Sequence, residues 1–190
     1  MKLLTIAFTL FFFIITETNA QTPTLLLEGN QIDGNYGWDV CNAGDINADG
    51  YDDIVVGAYT YDNGQSNEGA VFVYMGSATG LVATPAAILE SNQAEANMGR
   101  SVSRAGDVNN DGFDDVIVGA NFFDNGQSNE GRAFVYLGSL TGINPIPNAT
   151  LECDVVGANF GIAVSNAGDI NADGFDDVIV GANLSVKAYV

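Results

Sequence analysis

The sequence predicts an all-β protein, a β-propeller built of four-stranded blades. One observation is a nine-residue acidic segment that recurs at a constant spacing of 62 residues, at 45–53, 107–115 and 169–177. The other is that each period holds four short apolar or alternating segments and no amphipathic helix of useful length. Four strands in a repeat of this length are typical of a propeller blade.

The first residues of the chain predict export. Lys2 provides a positive start, residues 3–15 form an apolar stretch, and Thr18 and Ala20 are small residues placed for cleavage. We therefore expect a secretory signal peptide at residues 1–20 and propeller repeats over residues 21–190. The apolar stretch is too short for a spanning helix, so no membrane insertion is expected.

Each period then begins with two predicted strands, D and A. Strand D is a short apolar run that ends in Glu, predicted at 24–28, 86–90 and 148–152. Strand A begins with Gly and has small side chains, predicted at 37–43, 99–105 and 161–167. Such small side chains suit a crowded inner edge near a central axis.

Strands B and C follow the acidic segment. Strand B is apolar on both faces, as expected for a strand buried between sheets, at 54–58, 116–120 and 178–182. A polar connector comes next, and residues 62–69 recur unchanged as 124–131. Strand C alternates aromatic residues with others, and is predicted at 70–75, 133–137 and 186–190. The third strand C matches the others only if seven residues of the connector are missing.

The predicted order D, ABCD, ABCD, ABC leaves the ring incomplete. Complete propellers typically have four to eight blades, and this chain of 190 residues has three repeats. Three explanations remain: a piece of a longer protein, an open array, or a ring made from more than one chain. We favour the first of these.

Composition excludes several classes of function. The chain has 24 acidic and 5 basic residues, so a nucleic-acid partner is not expected. It has no His, which removes Ser-His and Cys-His nucleophile systems, and most acidic pairs lie inside the recurring segments. We therefore expect a protein that is not an enzyme. Cys41 and Cys153 occupy non-equivalent repeat positions, and a disulfide between them is the less favoured interpretation.

The acidic segments have the donor pattern of a cation site. Each carries side-chain oxygens at positions 1, 3, 5 and 9 and Gly at position 6, a spacing that suits a hard cation. Absence of His disfavours zinc, magnesium prefers to keep several waters, and position 12 is Val rather than the Glu of an EF-hand. The alternative is a loop that binds no metal and is held by Asx-turns.

The motifs around these segments resemble the FG-GAP repeats of the integrin α-chain propeller and its bacterial relatives. The Phe-Gly element appears as Tyr36-Gly37, Met98-Gly99 and Phe160-Gly161. The Gly-Ala-Pro element appears without its Pro, as Gly57-Ala58, Gly119-Ala120 and Gly181-Ala182. The resemblance implies a seven-bladed propeller with calcium held in the loops between strands A and B.

Up to three calcium ions are expected, each held by side-chain oxygens and by the backbone carbonyl at position 7. The expected ligands are Asp45, Asn47, Asp49, Tyr51 and Asp53; Asp107, Asn109, Asp111, Phe113 and Asp115; Asp169, Asn171, Asp173, Phe175 and Asp177. The position 8 residues Asp52, Asp114 and Asp176 are expected to point away, as outer or surface carboxylates.

These features predict a secreted, calcium-binding interaction or adhesion module in which calcium stabilises the hairpins of the blades. Its expected partner is a protein or a cell-surface glycan, with further blades from the missing part of the chain or from another subunit. The alternative is the non-catalytic propeller part of a larger exported hydrolase or lyase acting on polysaccharide or phosphodiester substrates.

Overall fold

A computed structural model describes residues 25–185 and 187–190, so the predicted signal peptide at 1–20 lies outside the described part. The described residues form β-strands and no helix. The strands are β1 Tyr36–Gly44, β2 Asp53–Ala58, β3 Ala70–Tyr74, β4 Ala87–Glu90, β5 Met98–Gly106, β6 Asp115–Ala120, β7 Arg132–Tyr136, β8 Ala149–Leu151, β9 Phe160–Gly168, β10 Asp177–Ala182 and β11 Lys187–Tyr189.

Three antiparallel sheets follow one another along the chain. The first blade has the order β1-β2-β3-β4, the second β5-β6-β7-β8, and the third β9-β10-β11. This confirms the all-β class and the order A, B, C, D within a blade. The hydrogen-bonded neighbours are consecutive in sequence, so each strand turns back and pairs antiparallel with the one before it.

The predicted first strand D is wrong for the residues that the structure describes. Thr24 lies outside the described part, and residues 25–28 have no strand conformation. Leu26 is 72% exposed, whereas Leu27 packs against the first blade. Among the described residues no strand C is placed beside this segment, and a strand cannot form its ladder without a partner.

Neighbouring blades pack face to face through apolar side chains. Val55, Val71 and Leu89 of the first blade form one buried cluster with Val118 and Phe134 of the second. Each fully buried aliphatic side chain of this kind contributes about 1.5–3 kcal/mol to folding. The repeated apolar strands therefore account for the stacking of the blades.

The glycines of the Phe-Gly and Gly-Ala motifs let neighbouring blades approach closely. A Cβ placed on Gly57 would lie 2.1 Å from the carbonyl oxygen of Gly99, and one on Gly119 would lie 1.9 Å from that of Gly161. A side chain at either position would force the two blades apart. The Gly-Ala motif of one blade thus contacts the Phe-Gly motif of the next blade, and this contact occurs at both interfaces.

A cationic side chain spans the first interface. Arg100 of the second blade lies 5.3 Å from the ring centre of Trp38 and 5.2 Å from that of Tyr59, both in the first blade. The two rings meet edge to face at 4.8 Å. Such cation–π contacts stabilise by about 0.5–1 kcal/mol at exposed sites.

Candidate metal centre

The three acidic segments are the hairpin loops between strands A and B of each blade. They join β1 to β2, β5 to β6 and β9 to β10. Each loop leaves strand A through a glycine with positive φ, as at Gly44 with φ 76°, and turns at a second one, Gly50, with φ 91°. Glycine adopts this conformation without a Cβ clash, which explains why position 6 is Gly in each copy.

The side chains at positions 1, 3 and 5 fold inward onto the loop. Asp45 accepts hydrogen bonds from the backbone N–H groups of Asp49 at 3.0 Å and Gly50 at 2.8 Å. The Asn47 Oδ1 accepts from the N–H of Asp49 at 3.1 Å, and the Asp49 Oδ1 accepts from that of Tyr51 at 3.0 Å. The same bonds recur within residues 107–113 and 169–175.

The carboxylate at position 9 lies beneath the loop in the first two blades. Asp53 is fully buried and accepts the N–H groups of Ile46 at 2.9 Å and Gly76 at 2.8 Å. Asp115 is equivalent and accepts those of Val108 and Gly138, each at 2.8 Å. In the third blade the Asp177 carboxylate accepts one N–H, that of Ile170, at 3.0 Å.

The carboxylate pKa values shift in opposite directions at the buried and the exposed end of the loop. Burial raises the pKa of Asp115 to about 6, against the two N–H groups that lower it, and the charges of Asp111 and Asp107 raise it further. Burial likewise raises the pKa of Asp53. At the exposed position 1, hydrogen bonding by the Gly174 N–H lowers the pKa of Asp169. Because the charges at positions 1 and 5 raise the pKa at position 9, the carboxylates of one loop are close enough to repel one another.

The donor chemistry of the loop fits a hard cation. In the described part of the chain, no group of three or more His, Cys, Asp or Glu side chains is gathered closely enough to hold a metal. The carboxylate and amide oxygens of positions 1, 3, 5 and 9 bond instead to N–H groups of the loop and its neighbours. A carboxylate that accepts two N–H groups keeps further lone pairs, so these oxygens stay available to an ion.

The position 8 carboxylates of the second and third blades are directed away from their own loops and link them to the loops of the preceding blades. The Asp114 Oδ2 accepts the N–H of Asp45 in the preceding blade at 2.8 Å, and its Oδ1 pairs with Arg104 at 2.6 Å. The Asp176 Oδ2 accepts the N–H of Asp107 at 3.1 Å.

The backbones of neighbouring loops are joined as well. The N–H of Asp114 donates to the carbonyl of Asp45 at 3.2 Å, and that of Asp176 to the carbonyl of Asp107 at 3.1 Å. Asp52, the position 8 residue of the first blade, is exposed and accepts from the Asn42 side chain at 2.8 Å. Each loop is thus tied to the next through position 8 wherever a preceding blade is present.

The acids at the ends of the two strands D have side-chain partners in their own blades. Glu152 pairs with Arg132 at 2.5 Å, and hydrogen bonding by Arg132 lowers the pKa of Glu152. Glu90 accepts from the side chain of Asn63 in the connector. The pairing of β7 with β8 brings Arg132 and Glu152 together, and the predicted strand order contained this neighbour relation.

A buried acid in each of the two complete connectors was not predicted from the sequence. Glu68 is fully buried, and its Oε1 accepts the N–H groups of Asn63 at 2.7 Å and Gln65 at 3.1 Å. Its Oε2 has no hydrogen-bond partner among the residues that the structure describes, and the same holds for Glu130 in the second blade. The unchanged connector sequence was the observation that could have revealed this role.

The structure also bears on the two cysteines and on membrane-spanning helices. Cys41 and Cys153 are both free thiols. Within the described residues there is no helix long and apolar enough to cross a membrane.

Comparison with known proteins identifies the repeats. The family model of the FG-GAP repeat matches residues 36–74, 98–136 and 160–189, which are strands A to C of each blade. Integrin alpha-4 of Xenopus laevis is 35% identical over 183 residues, covering 94% of this chain and 17% of that protein. Integrin alpha-7 of Rattus norvegicus is 32% identical over 168 residues, covering 87% of this chain and 14% of that protein.

Integrin alpha-PS3 of Drosophila melanogaster is 33% identical over 173 residues, covering 87% of this chain and 15% of that protein. The chain therefore spans less than a fifth of the length of these relatives. The matched repeats coincide with the three sheets, and the resemblance inferred from the sequence motifs is confirmed. The chain belongs to the FG-GAP repeat family.

Proposed function

We propose that this chain is a secreted, calcium-binding propeller segment that acts as an interaction module of the adhesion type. The observation that carries the proposal is the oxygen-donor loop, which recurs with the same hydrogen bonds in three blades. Three carboxylates, one amide and one backbone carbonyl in each loop supply the oxygen-only ligands that calcium prefers. Its partner would be a protein or a cell-surface glycan.

Calcium would neutralise the negative charge of the carboxylates in each loop. Three Asp residues at positions 1, 5 and 9 repel one another, and burial already raises the pKa of Asp115 to about 6. A bound divalent cation supplies the local positive charge that offsets both effects. Its benefit is structural: it holds together loops that also link neighbouring blades through Asp114 and Asp176.

The adhesion part of the proposal rests on the relatives. Integrin alpha chains carry the same repeats, and this favours an adhesion module over the non-catalytic part of a hydrolase or lyase. Three blades would then belong to a larger ring of seven, completed by the rest of a longer chain or by another subunit. Export would follow from the signal peptide predicted at 1–20.

A calcium titration monitored by thermal melting tests the metal part. A ligand that binds only the folded state stabilises by about 2.7 kcal/mol at a hundred times its Kd, so we expect the melting temperature to rise by several degrees. Asp111→Ala should reduce the rise by removing one site. Asp154→Ala, which changes an exposed acid outside the loops, should leave the rise unchanged. No shift at millimolar calcium would refute the metal sites.

Solid-phase binding tests the adhesion part separately. The chain is applied to immobilised extracellular-matrix proteins and glycans, with calcium or with a chelator. We expect saturable binding that the chelator weakens, since it loosens the loops. Saturable binding to none of these surfaces by a chain that calcium stabilises would refute the adhesion role and leave the metal sites standing.

A further inference from the structure

The connectors between strands B and C contain both Asn-Gly pairs of the chain. They are Asn63-Gly64 and Asn125-Gly126, at the same position of the recurring connector, and every other asparagine precedes a residue that has a side chain. Asparagine is a thermolabile residue, and a following glycine has no Cβ to crowd an approach to its side-chain amide. The connectors are therefore where attack on an asparagine amide meets the least steric resistance.

Both pairs face solvent, and their exposure does not depend on where the sequence begins or ends. Asn63, Gly64, Asn125 and Gly126 are all exposed. The second blade has a described blade on either side, and its connector is as open as that of the first. A Cβ on Gly64 or Gly126 would meet no described atom within 4 Å. Water therefore reaches both pairs, and a ring between the two residues of a pair has room to close.

The backbone N–H of the glycine is left without an acceptor, while those of its neighbours are held. The Glu68 Oε1 accepts the N–H of Asn63 at 2.7 Å and that of Gln65 at 3.1 Å. Among the described residues, no group accepts the N–H of Gly64, which lies between them. The second connector repeats this arrangement around Gly126. The glycine nitrogen is thus available for reaction in the folded chain.

We propose that Asn63 and Asn125 are sites of spontaneous deamidation through a cyclic imide. The Gly64 nitrogen loses its proton to hydroxide and bonds to the Cγ of Asn63. The Cγ–Nδ2 bond then breaks, and the amide nitrogen takes up a proton from water and leaves as ammonia. A second water opens the imide at either carbonyl and gives aspartate or isoaspartate. The net change consumes one water and releases one ammonia, with no oxidation or reduction.

The two sites differ in the charges that surround the new carboxylate. The Asn63 Nδ2 donates to Glu90, and among the described residues no cation pairs with Glu90. The Asn125 Nδ2 donates to both oxygens of Glu152, at 3.0 and 2.8 Å, and Arg132 pairs with Glu152 at 2.5 Å. Deamidation therefore places two carboxylates side by side in each blade, and a counter-charge is present in the second blade alone.

Isoaspartate also lengthens the backbone at a point that supports the first interface. The chain then runs through the side-chain carbon, which adds one methylene before Gly64 and displaces the Gln65 N–H from Glu68. The Glu68 carbonyl accepts the N–H of Met98 in the second blade at 3.0 Å. Because the reaction is irreversible, the modified connector accumulates with the age of the protein. This inference goes beyond the proposed function, since it requires neither calcium nor a partner.

Incubation of the folded chain in mildly alkaline buffer made with heavy-oxygen water tests the proposal. Peptide mass spectrometry should find one heavy oxygen at Asn63 and one at Asn125, in both aspartate and isoaspartate. Conversion at these sites should be at least severalfold faster than at the exposed Asn92 and Asn144. Asn144 is the stricter internal control, because Pro145 has no N–H with which to close the ring.

Variants separate the reaction from its consequence. Asn63→Gln keeps an amide on a longer side chain, so it should stop uptake of heavy oxygen at that site while uptake at Asn125 continues. Asn63→Asp should lower the melting temperature by more than Asn125→Asp does, since Arg132 offsets the added charge only in the second blade.

Three results would overturn parts of the proposal. Connectors that stay unmodified until urea unfolds the chain would show that the fold protects them. Aspartate formed without isoaspartate would indicate direct hydrolysis, which bypasses the glycine nitrogen. Equal melting temperatures of the Asn63→Asp and Asn125→Asp chains would remove the role assigned to Arg132.

Discussion

Gly106 shows at the scale of one residue how tightly the loops of neighbouring blades are joined. A Cβ at this position would lie 1.9 Å from the Asp176 Oδ2, and the backbone has a φ of 81° that disfavours any side chain. Substitution therefore has two costs, one from the backbone and one from the displaced carboxylate.

We predict that Gly106→Ala lowers the free energy of unfolding by more than Gly126→Ala does. Gly126 has a φ of 99°, and a Cβ there would have no described atom within 4 Å, so alanine meets only the backbone cost of about 1–2 kcal/mol. Gly106→Ala should lose about 1 kcal/mol more, since it also displaces the Asp176 carboxylate from the Asp107 N–H. Urea unfolding of both variants measures the difference, and equal losses would show that Asp176 moves without cost.

The loop side chains could be predicted from the sequence, whereas the role of position 8 could not. Positions 1, 3 and 5 bond within one loop, so their spacing along the chain carries the information. Asp114 bonds to Asp45, which lies 69 residues earlier, and this contact depends on how one blade stacks on the next. The sequence pattern within one repeat therefore does not predict contacts between stacked blades.

At the scale of the element, the connector between strands B and C depends on one buried acid. Glu68 accepts two connector N–H groups through Oε1, and its Oε2 has no partner in the described part of the chain. It also joins the blades, since the N–H of Met98 donates to its carbonyl at 3.0 Å. The unchanged sequence of the two connectors follows from this double use, which a simple polar turn would not require.

We predict that Glu68→Ala costs about 2–3 kcal/mol of stability, because two N–H groups of the connector lose their hydrogen bonds to a buried carboxylate. Glu68→Gln keeps an acceptor oxygen and removes a buried charge, so its loss should be less than about 1 kcal/mol. Chemical denaturation of both variants, monitored by circular dichroism, makes the comparison. If the two variants lost equal stability, the hydrogen bonds of Oε1 would not be what holds the connector.

Most strands could be predicted because the 62-residue period locates each one three times over. The exceptions lie where a neighbour is needed. Residues 25–28 have the apolar pattern of Ala87–Glu90, yet they form no strand, since no strand C lies beside them among the described residues. Sequence pattern specifies a strand that is able to pair, and the pairing itself depends on a partner.

At the scale of the whole molecule, the dominant property is charge. The formal net charge is −19, and much of it is concentrated in three loops. Repulsion within and between the loops opposes the compact state, and both bound cations and dissolved salt reduce it. Bound calcium and dissolved salt should therefore partly substitute for one another in stabilising the chain.

We predict that raising sodium chloride from 50 to 500 mM raises the melting temperature of the metal-free chain by several degrees, and raises that of the calcium-saturated chain by less. Screening depends on ionic strength, so potassium chloride at equal concentration should act in the same way. Differential scanning fluorimetry in chelator and in calcium gives the four values needed. An equal rise in both states would mean that calcium does not neutralise the charges responsible.

The contact of Arg100 with Trp38 gives the molecule a built-in optical reporter. Trp38 is the chain's one tryptophan, and the guanidinium that covers it belongs to the next blade. Its fluorescence therefore senses the opening of the first interface and is blind to the second. Comparing this emission with circular dichroism during unfolding would distinguish a chain that comes apart blade by blade from one that melts in a single step.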